Sequence, residues 1–323
     1  MKNPFVTNGY VSPEYFCDRE KETAKIVSLL TNENNIALIS PRRLGKTDLL
    51  RHCFGQPEIK EHYHTFIIDI YATSSVRDFV NVFGKAVLDE LRPKGKSVWS
   101  TFLNVLASLR SEITFDMNGQ PTWGIGLGAI TNPSATLDEI FSYLNNAGKP
   151  CLIAIDEFQQ ITKYADDPNI EAALRTHIQR CSNAHFVFSG SHRHLMGAMF
   201  TSPTRPFYQS VTLINLPPIS VDKYAEFCLK HFERASKLLD TLVVTELYER
   251  FNGITSYMQK VMNILFSMTG TGEICIPSMI DTAINDLLDF SADTYDALLY
   301  QMPEKQRIVF MAIAAEGKAK AIS

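Results

Sequence analysis

The segment 36-IALISPRRLGKT-47 is the strongest indication of fold in this chain. Its first four residues form a short apolar run that predicts a buried strand, and apolar residues at positions 49, 50, 53 and 54 follow at helical spacing. Between strand and helix lies an octet that ends in Gly-Lys-Thr. This order predicts a loop that surrounds a phosphate group with backbone N–H groups and with the N-terminus of the next helix.

The octet from Ser40 to Thr47 contains the groups that such a loop requires. We expect Lys46 to reach the β- and γ-phosphate oxygens and the Thr47 hydroxyl to bind Mg²⁺. Ser40 stands where the usual pattern has glycine. The alternative interpretation is a glycine-containing turn with a solvated Lys46. The predicted nucleotide-binding residues of the loop are Ser40, Pro41, Arg42, Arg43, Leu44, Gly45, Lys46, Thr47 and Asp48.

A second apolar run, 151-CLIAI-155, is followed at once by Asp156 and Glu157. The run is too short and too apolar for a surface helix, so it predicts a buried parallel strand. Open α/β sheets bind ligands at the carboxyl ends of their strands, which places both carboxylates beside Lys46. We expect Asp156 to hold Mg²⁺ and Glu157 to deprotonate the attacking water. The alternative interpretation is an acidic cap on the following segment.

A third run, 185-HFVF-188, ends in Ser-Gly-Ser and a basic cluster. A small hydroxyl at the end of a strand beside the acidic pair can position a γ-phosphate or a water molecule. Ser191 is therefore predicted to be a polar sensor of the catalytic site. A Ser-Gly-Ser turn without a ligand explains the same residues equally well.

Seven segments together carry a family resemblance: 16-FCDREKE-22, 40-SPRRLGKT-47, 155-IDEFQ-159, 188-FSGS-191, 216-LPPIS-220, 251-FNGITSY-257 and 301-QMPEKQR-307. With them the chain resembles, over most of its length, the archaeal-type ATPases of the AAA+/STAND group of P-loop NTPases. The resemblance implies ATP and Mg²⁺ as ligands. It also places Arg42 and Arg43 within the phosphate-binding loop and the segment around Arg19 near the nucleotide base.

Two features depart from the family pattern. Family members often carry Tyr-Gly-Arg before the last core strand, where this chain has 207-FYQS-210. An arginine expected near the nucleotide or a neighbouring subunit is missing from that place, and Arg205 and Arg193 are the candidates to replace it. We therefore expect slow ATP turnover by the chain alone and activation by a partner. The family tail usually completes a winged-helix domain, whereas this chain stops at Ser323.

The predicted fold class is α/β, with a three-layer P-loop NTPase core around a parallel sheet. A helical lid and the start of a winged-helix-like segment follow. Residues 1–216 are assigned to the core and its N-terminal arm, 217–290 to the lid and 291–323 to the incomplete winged-helix-like segment, with Pro217-Pro218 at the first boundary. Asp18 is predicted to cap the first helix. A β-hairpin insertion is predicted near residues 112–128.

Composition narrows the class of protein. The chain has 323 residues, 45% of them hydrophobic, with a net charge of -4 and a pI near 6.1, which favours a sizeable core and argues against general affinity for nucleic-acid backbones. Six scattered cysteines predict reduced thiols of a cytoplasmic protein rather than a disulfide framework or a zinc site. His62 and His64 lack neighbours at metal-site spacing. We expect neither a signal peptide nor a membrane span, which needs about 18 consecutive apolar residues.

The leading functional prediction is ATP binding and Mg²⁺-dependent hydrolysis at the β–γ bond, used as a conformational switch on an unknown protein client. Homo-oligomer formation is left open, and no membrane partner is predicted. One alternative is a nucleotide-gated interaction protein with little turnover, which Ser40 and the missing arginine favour and the Asp156-Glu157 pair disfavours. The other is a DNA-associated regulator, which requires a completed winged helix with a basic recognition helix.

Overall fold

The computed structural model describes residues 2–91, 113–115, 121–123 and 133–316 of the chain. The chain forms two compact units. The larger unit comprises Asn8–Ile219 together with Ile254–Ser256. The smaller unit comprises the residues up to Thr7, then Ser220–Gly253, and the chain from Tyr257 onward.

A sheet of five parallel strands forms the centre of the larger unit. Its strands are β1 (Ile36–Ile39), β2 (His64–Asp69), β5 (Cys151–Asp156), β6 (Ala184–Gly190) and β7 (Thr212–Asn215). They lie in the order β2-β5-β6-β1-β7, and every neighbouring pair is parallel. All residues of β1, β5 and β6 are buried, as expected for strands covered on both faces. The predicted α/β fold with a parallel sheet is confirmed.

Helices cover both faces of this sheet because side chains alternate along each strand. Ile36 and Leu38 pack with residues of the two helices that flank β1 in the sequence, whereas Ala37 and Ile39 pack with residues of helices that follow β2. This arrangement gives the three layers that the sequence predicts. The helices are α1 (Glu20–Thr31), α2 (Lys46–Phe54), α3 (Pro57–His62), α4 (Val76–Glu90), α5 (Pro133–Asn145), α6 (Ile170–Arg180) and α7 (Arg193–Thr201), with 3₁₀ turns at Pro13–Tyr15 and Phe158–Lys163.

A separate antiparallel pair lies between α4 and α5 in the sequence. Its strands are β3 (Ile113–Phe115) and β4 (Pro121–Trp123), with Ile113 opposite Trp123. The region corresponds to the hairpin predicted near residues 112–128. Residues 116–120 and 124–128 of the predicted insertion lie outside the described residues.

The first helix does not begin as predicted. It starts at Glu20, and its N-cap residue is Arg19, which has a φ of 78° and makes no side-chain capping hydrogen bond. Asp18 also has a positive φ, of 55°. The prediction that Asp18 caps this helix is therefore wrong, because two successive left-handed residues turn the chain immediately before the first helical turn.

The smaller unit is mainly helical in its described part. Its helices are α8 (Val221–Arg234), α9 (Thr241–Phe251), most of α10 (Thr255–Met268), α11 (Ile280–Gln301) and α12 (Glu304–Glu316). Two short strands, β8 (Leu238–Leu239) and β9 (Ile274–Cys275), pair in parallel, and a 3₁₀ turn spans Pro277–Met279. Helix α11 is continuous through residue 290, where the sequence suggests a boundary. Residues 317–323 of the proposed C-terminal segment lie outside the described residues.

The start of the N-terminal arm packs in the smaller unit. Phe5 is completely buried, and its ring centroid lies 6.0 Å from that of Phe227, 5.9 Å from that of Phe232 and 5.7 Å from that of Phe266. Asn3 donates a hydrogen bond of 2.7 Å to the carbonyl oxygen of Asn263. The arm is thus divided, with residues up to Thr7 in the smaller unit and those from Asn8 in the larger.

All six cysteines are buried thiols: Cys17, Cys53, Cys151, Cys181, Cys228 and Cys275. Burial raises the pKa of Cys53 and of Cys151 to about 12 in each case. The described residues contain no cluster of three or more His, Cys, Asp or Glu side chains that could hold a metal ion. None of the described helices has the length and apolar character needed to cross a membrane.

Candidate functional site

The loop between β1 and α2 makes a tight turn in left-handed backbone conformations. Arg43 has a φ of 69°, and Gly45, the N-cap of α2, has a φ of 81° that glycine adopts without strain. Between them Leu44 is buried, with 3% exposure, and fixes the loop to the core. The first helical hydrogen bond runs from the Leu49 N–H to the Gly45 carbonyl. The earlier N–H groups of α2 have no helical acceptor, which is the arrangement that binds phosphate.

The Lys46 side chain lies inside this loop. It is 7% exposed, and its Nζ donates hydrogen bonds to the carbonyl oxygens of Ser40 at 3.1 Å and Pro41 at 3.3 Å. Burial lowers the pKa of Lys46, and the nearby carboxylates of Asp156 and Glu157 oppose that shift. Ser40 and Lys46 thus close the loop across its two ends. The Lys46 ammonium can exchange its hydrogen bonds to these two carbonyl oxygens for hydrogen bonds to phosphate oxygens inside the loop.

Thr47 and Asp156 meet at the carboxyl edge of the sheet. The Thr47 Oγ1 donates to the Asp156 Oδ2 at 2.5 Å, and the Asp156 Oδ1 accepts from the Glu157 N–H at 3.0 Å. Asp156 is 6% exposed. One hydroxyl and one carboxylate suit Mg²⁺, which prefers oxygen ligands and takes the rest from water and substrate phosphates. These two side chains therefore fit a Mg²⁺ ion.

Glu157 lies one residue further, in a left-handed conformation with a φ of 54°. Its Oε2 accepts hydrogen bonds from the Ser191 Oγ at 2.8 Å and from the Gln159 Nε2 at 2.5 Å. Gln159 is 3% exposed and packs against Gly190, where an added Cβ would lie 2.5 Å from the Gln159 Oε1. The ends of β5 and β6 thus bring Glu157 and Ser191 together, as the edge rule predicts.

Arg42 extends from the loop across the same edge. Its Nε donates to the Ser191 Oγ at 3.4 Å, and its guanidinium carbon lies 5.4 Å from the centre of the Tyr71 ring. Tyr71 follows β2 and is 57% exposed. Residues that follow β1, β6 and β2 are therefore in contact through one arginine.

The other predicted binding residues have different surroundings. Arg43 accepts at its carbonyl from the Ser256 N–H at 3.2 Å. Burial raises the pKa of Asp48, which the neighbouring Arg51 opposes from 3.4 Å. Arg19 is 2% exposed, and it donates to the Glu22 Oε1 at 2.9 Å and to the Pro217 carbonyl at 2.7 Å. These bonds give Arg19 a structural role, and its placement near a nucleotide base stays a prediction.

The two arginines suggested as replacements for the family arginine also differ. The Nη2 of Arg205 forms an ion pair with the Glu171 Oε1, whose carboxyl group is largely buried. Burial raises the pKa of Glu171, and Arg205 opposes the shift. Arg193 is exposed at the first position of α7. Use of Arg205 on a phosphate would therefore leave the largely buried Glu171 carboxylate without its cation, which is costly.

Two residues of this site were missed by sequence reasoning. Gln159 lies two positions after Glu157, but nothing in its spacing shows that its amide reaches back to that carboxylate. Tyr71 follows a core strand and so falls under the same edge rule as Glu157 and Ser191. The end of β2 could have marked Tyr71 as a residue of the site.

The fold and the site define a P-loop nucleotide-binding protein of the AAA+ type. Residues 16–261 match the family model described as an ATPase domain predominantly from Archaea, and the chain belongs to that family. No curated protein sequence matches the chain.

Solved structures share this fold at low sequence identity. A Walker-type ATPase of Pyrococcus abyssi is 17% identical, with a TM-score of 0.62 over 92% of this chain and 79% of that chain. The Orc1 protein of Aeropyrum pernix, solved in complex with DNA, is 11% identical, with a TM-score of 0.58 over 95% and 74%. The Orc2 protein of the same organism, in ADPNP and ADP complexes, is 13% identical, with a TM-score of 0.56 over 88% and 72%. At these identities the similarity shows a shared fold.

Proposed function

We propose that this chain binds ATP with Mg²⁺ and hydrolyses the β–γ bond as a conformational switch for a protein client. The observation that carries the proposal is the convergence of three elements at one sheet edge. These are the buried ammonium of Lys46 inside the loop, the Thr47–Asp156 contact of 2.5 Å, and the Glu157 carboxylate, whose charge acts on the Lys46 ammonium. Phosphoryl transfer needs mainly positioning and charge neutralisation, which these groups supply.

The residues divide the reaction between them. Lys46 and the N–H groups of α2 orient the β- and γ-phosphates, and Thr47 and Asp156 hold Mg²⁺, which neutralises phosphate charge when bound. Glu157 accepts a proton from water as the water oxygen bonds to the γ-phosphorus. The bond from that phosphorus to the bridging oxygen breaks, and its electron pair leaves with ADP. The products are ADP and inorganic phosphate.

One observation favours the second candidate, nucleotide-gated binding with little turnover. The Oε2 of Glu157 already accepts hydrogen bonds from Ser191 and Gln159, which leaves the Oε1 as the oxygen for a proton from water. A base held in this way supports slow hydrolysis by the chain alone. It is also compatible with activation by a client or by a second copy.

The larger organisation remains part of the proposal. We assign residues 217–290 to a helical lid and 291–323 to a winged-helix-like segment, through which the alternative role in DNA contact would act. Six buried thiols support a reducing compartment such as the cytoplasm.

The first experiment tests ATP binding. Lys46→Ala is expected to weaken ATP binding at least about tenfold, because hydrogen bonds to charged groups contribute about 1.5–3 kcal/mol each. Titration calorimetry measures this, and Lys25→Ala, which removes an exposed lysine of α1, is the matched control.

Glu157→Gln is expected to keep ATP affinity and lose turnover by a factor on the order of 10².

Each result has a separate meaning. A folded Lys46→Ala protein with parental ATP affinity would contradict the proposed loop. Equal turnover of Glu157→Gln and the parent would show that another residue is the base. ATP binding by the parent without measurable turnover in either protein would leave the second candidate as the function.

A further inference from the structure

We infer that Arg42 is the arginine that contacts the γ-phosphate of ATP during hydrolysis, supplied by the phosphate-binding loop of the same chain. The inference rests on the proposed function and names a further catalytic residue for it. It takes the place of the candidate Arg205, which is paired with Glu171.

Arg42 lies at the edge of the sheet where the proposed catalytic residues meet. The sheet order places β1 next to β6, followed by β5 and β2. Arg42 leaves the end of β1, contacts Ser191 beyond β6, and stacks on Tyr71 beyond β2. Its side chain therefore crosses the carboxyl edge where Glu157 follows β5. A guanidinium at this place lies on the same side of the site as the proposed base.

Hydrogen bonds connect Arg42 with the proposed base. The Ser191 Oγ links Arg42, at 3.4 Å, to the Glu157 Oε2, at 2.8 Å. Arg42 is also close enough to Lys46 that its charge contributes to the lowered pKa of the Lys46 ammonium. Arg42 is thus linked to the proposed base through Ser191 and is near the ammonium proposed to bind the phosphates.

The Arg42 guanidinium is free of ion pairs within the described residues and can therefore bind a phosphate. Arg19 is paired with Glu22, Arg51 with Asp48 and Arg205 with Glu171. Arg42 is exposed, and no carboxylate within the described chain pairs with it. Its contacts are one long hydrogen bond and one aromatic ring, both weaker than a bidentate bond to a phosphate. ATP can therefore take the guanidinium without breaking an ion pair.

Arg42 and Lys46 together then provide positive charge wherever negative charge develops during the reaction. As water adds to the γ-phosphorus and the bridging bond breaks, negative charge spreads over the equatorial oxygens. Arg42 donates to those oxygens while Lys46 binds β and γ oxygens together. The stacked Tyr71 ring limits the conformations that the long Arg42 side chain can adopt, which lowers the entropy cost of placing it.

The experiment compares Arg42→Ala and Arg42→Lys with the parent and with Arg77→Ala, which removes an exposed arginine of α4. For Arg42→Ala we expect kcat to fall on the order of 10²-fold or more, with ATP affinity changed less than about fivefold. Arg42→Lys should recover part of the rate, since it keeps the charge without the planar fork. Arg77→Ala should match the parent.

A second readout does not depend on turnover. Trapping of ADP with aluminium fluoride, a mimic of the transferring phosphoryl group, should fail in Arg42→Ala while ADP affinity is retained. Parental kcat and trapping in Arg42→Ala would overturn the inference and leave the proposed function intact. Loss of ATP affinity equal to the loss of rate would also overturn it, because Arg42 would then act only in the ground state. A parent that binds no ATP would overturn both.

Discussion

Gly190 shows how one missing side chain shapes the site. A Cβ at this position would lie 2.5 Å from the Gln159 Oε1 and 2.5 Å from the Met196 Sδ. Both neighbours are buried, with 3% and 0% exposure, so neither has room to move aside. Because Gln159 holds the Glu157 carboxylate, the close packing at the end of β6 also fixes the proposed base.

Gly190→Ala tests this packing. We expect a loss of about 1–3 kcal/mol in the free energy of unfolding from overpacking, together with altered turnover as Gln159 is displaced. Gly197→Ala is the matched control, because a Cβ at that helical position meets nothing within 4 Å. It should be neutral or stabilise by up to about 1 kcal/mol. Urea denaturation measures both, and equal stability of Gly190→Ala and the parent would contradict the packing argument.

Local motifs predicted Lys46, Thr47 and Asp156, whereas the contacts of Arg42 and Gln159 depend on the folded structure. Lys46 and Thr47 follow from spacing within one loop, and Asp156 from the apolar run before it. The contact of Arg42 with Tyr71 depends on a strand order in which β1 and β2 are separated by two other strands. The reach of the Gln159 amide depends on a side-chain conformation. Neither leaves a pattern in the sequence.

At the scale of elements, apolar runs located the strands more accurately than single polar residues located helix ends. The predicted strand at 36–39 matches β1, whereas β6 extends to Gly190, beyond the predicted 185–188, because parallel pairing with β1 continues through polar residues. The capping role of Asp18 is wrong, since a cap depends on backbone angles that residue type alone does not fix. Composition also did not show that the arm divides after Thr7.

The arm supplies a prediction at the same scale. Phe5→Ala should lower the stability of the smaller unit by about 3–5 kcal/mol, because a fully buried ring among three other rings leaves a cavity. Val11→Ala, at a 48% exposed position of the arm, should stay within about 0.5 kcal/mol of the parent. Urea unfolding followed by circular dichroism compares them. Coincident transitions for Phe5→Ala and Val11→Ala would show that the arm does not stabilise this unit.

At the scale of the whole molecule, the two units need not unfold together. A chain with two compact units can lose one before the other, and a single unfolding free energy then has no clear meaning. The Gly190 and Phe5 variants are therefore compared by the unfolding transition of the unit that contains each residue. The buried cysteines are divided between them, with Cys17, Cys53, Cys151 and Cys181 in the larger unit and Cys228 and Cys275 in the smaller.

Chemical labelling of these buried thiols can report the unfolding of each unit. In the folded state a maleimide at pH 8 should react slowly, because burial blocks access and the pKa of Cys53 and of Cys151 is about 12, whereas an unfolded thiol has a pKa near 8.5. The folded state keeps protons that the unfolded state loses, so stability should fall as pH rises from about 9 towards 12. Mass spectrometry of samples labelled during a urea series should show molecules carrying two or four adducts before six if the units open separately. A direct step from none to six would mean that the chain unfolds as one.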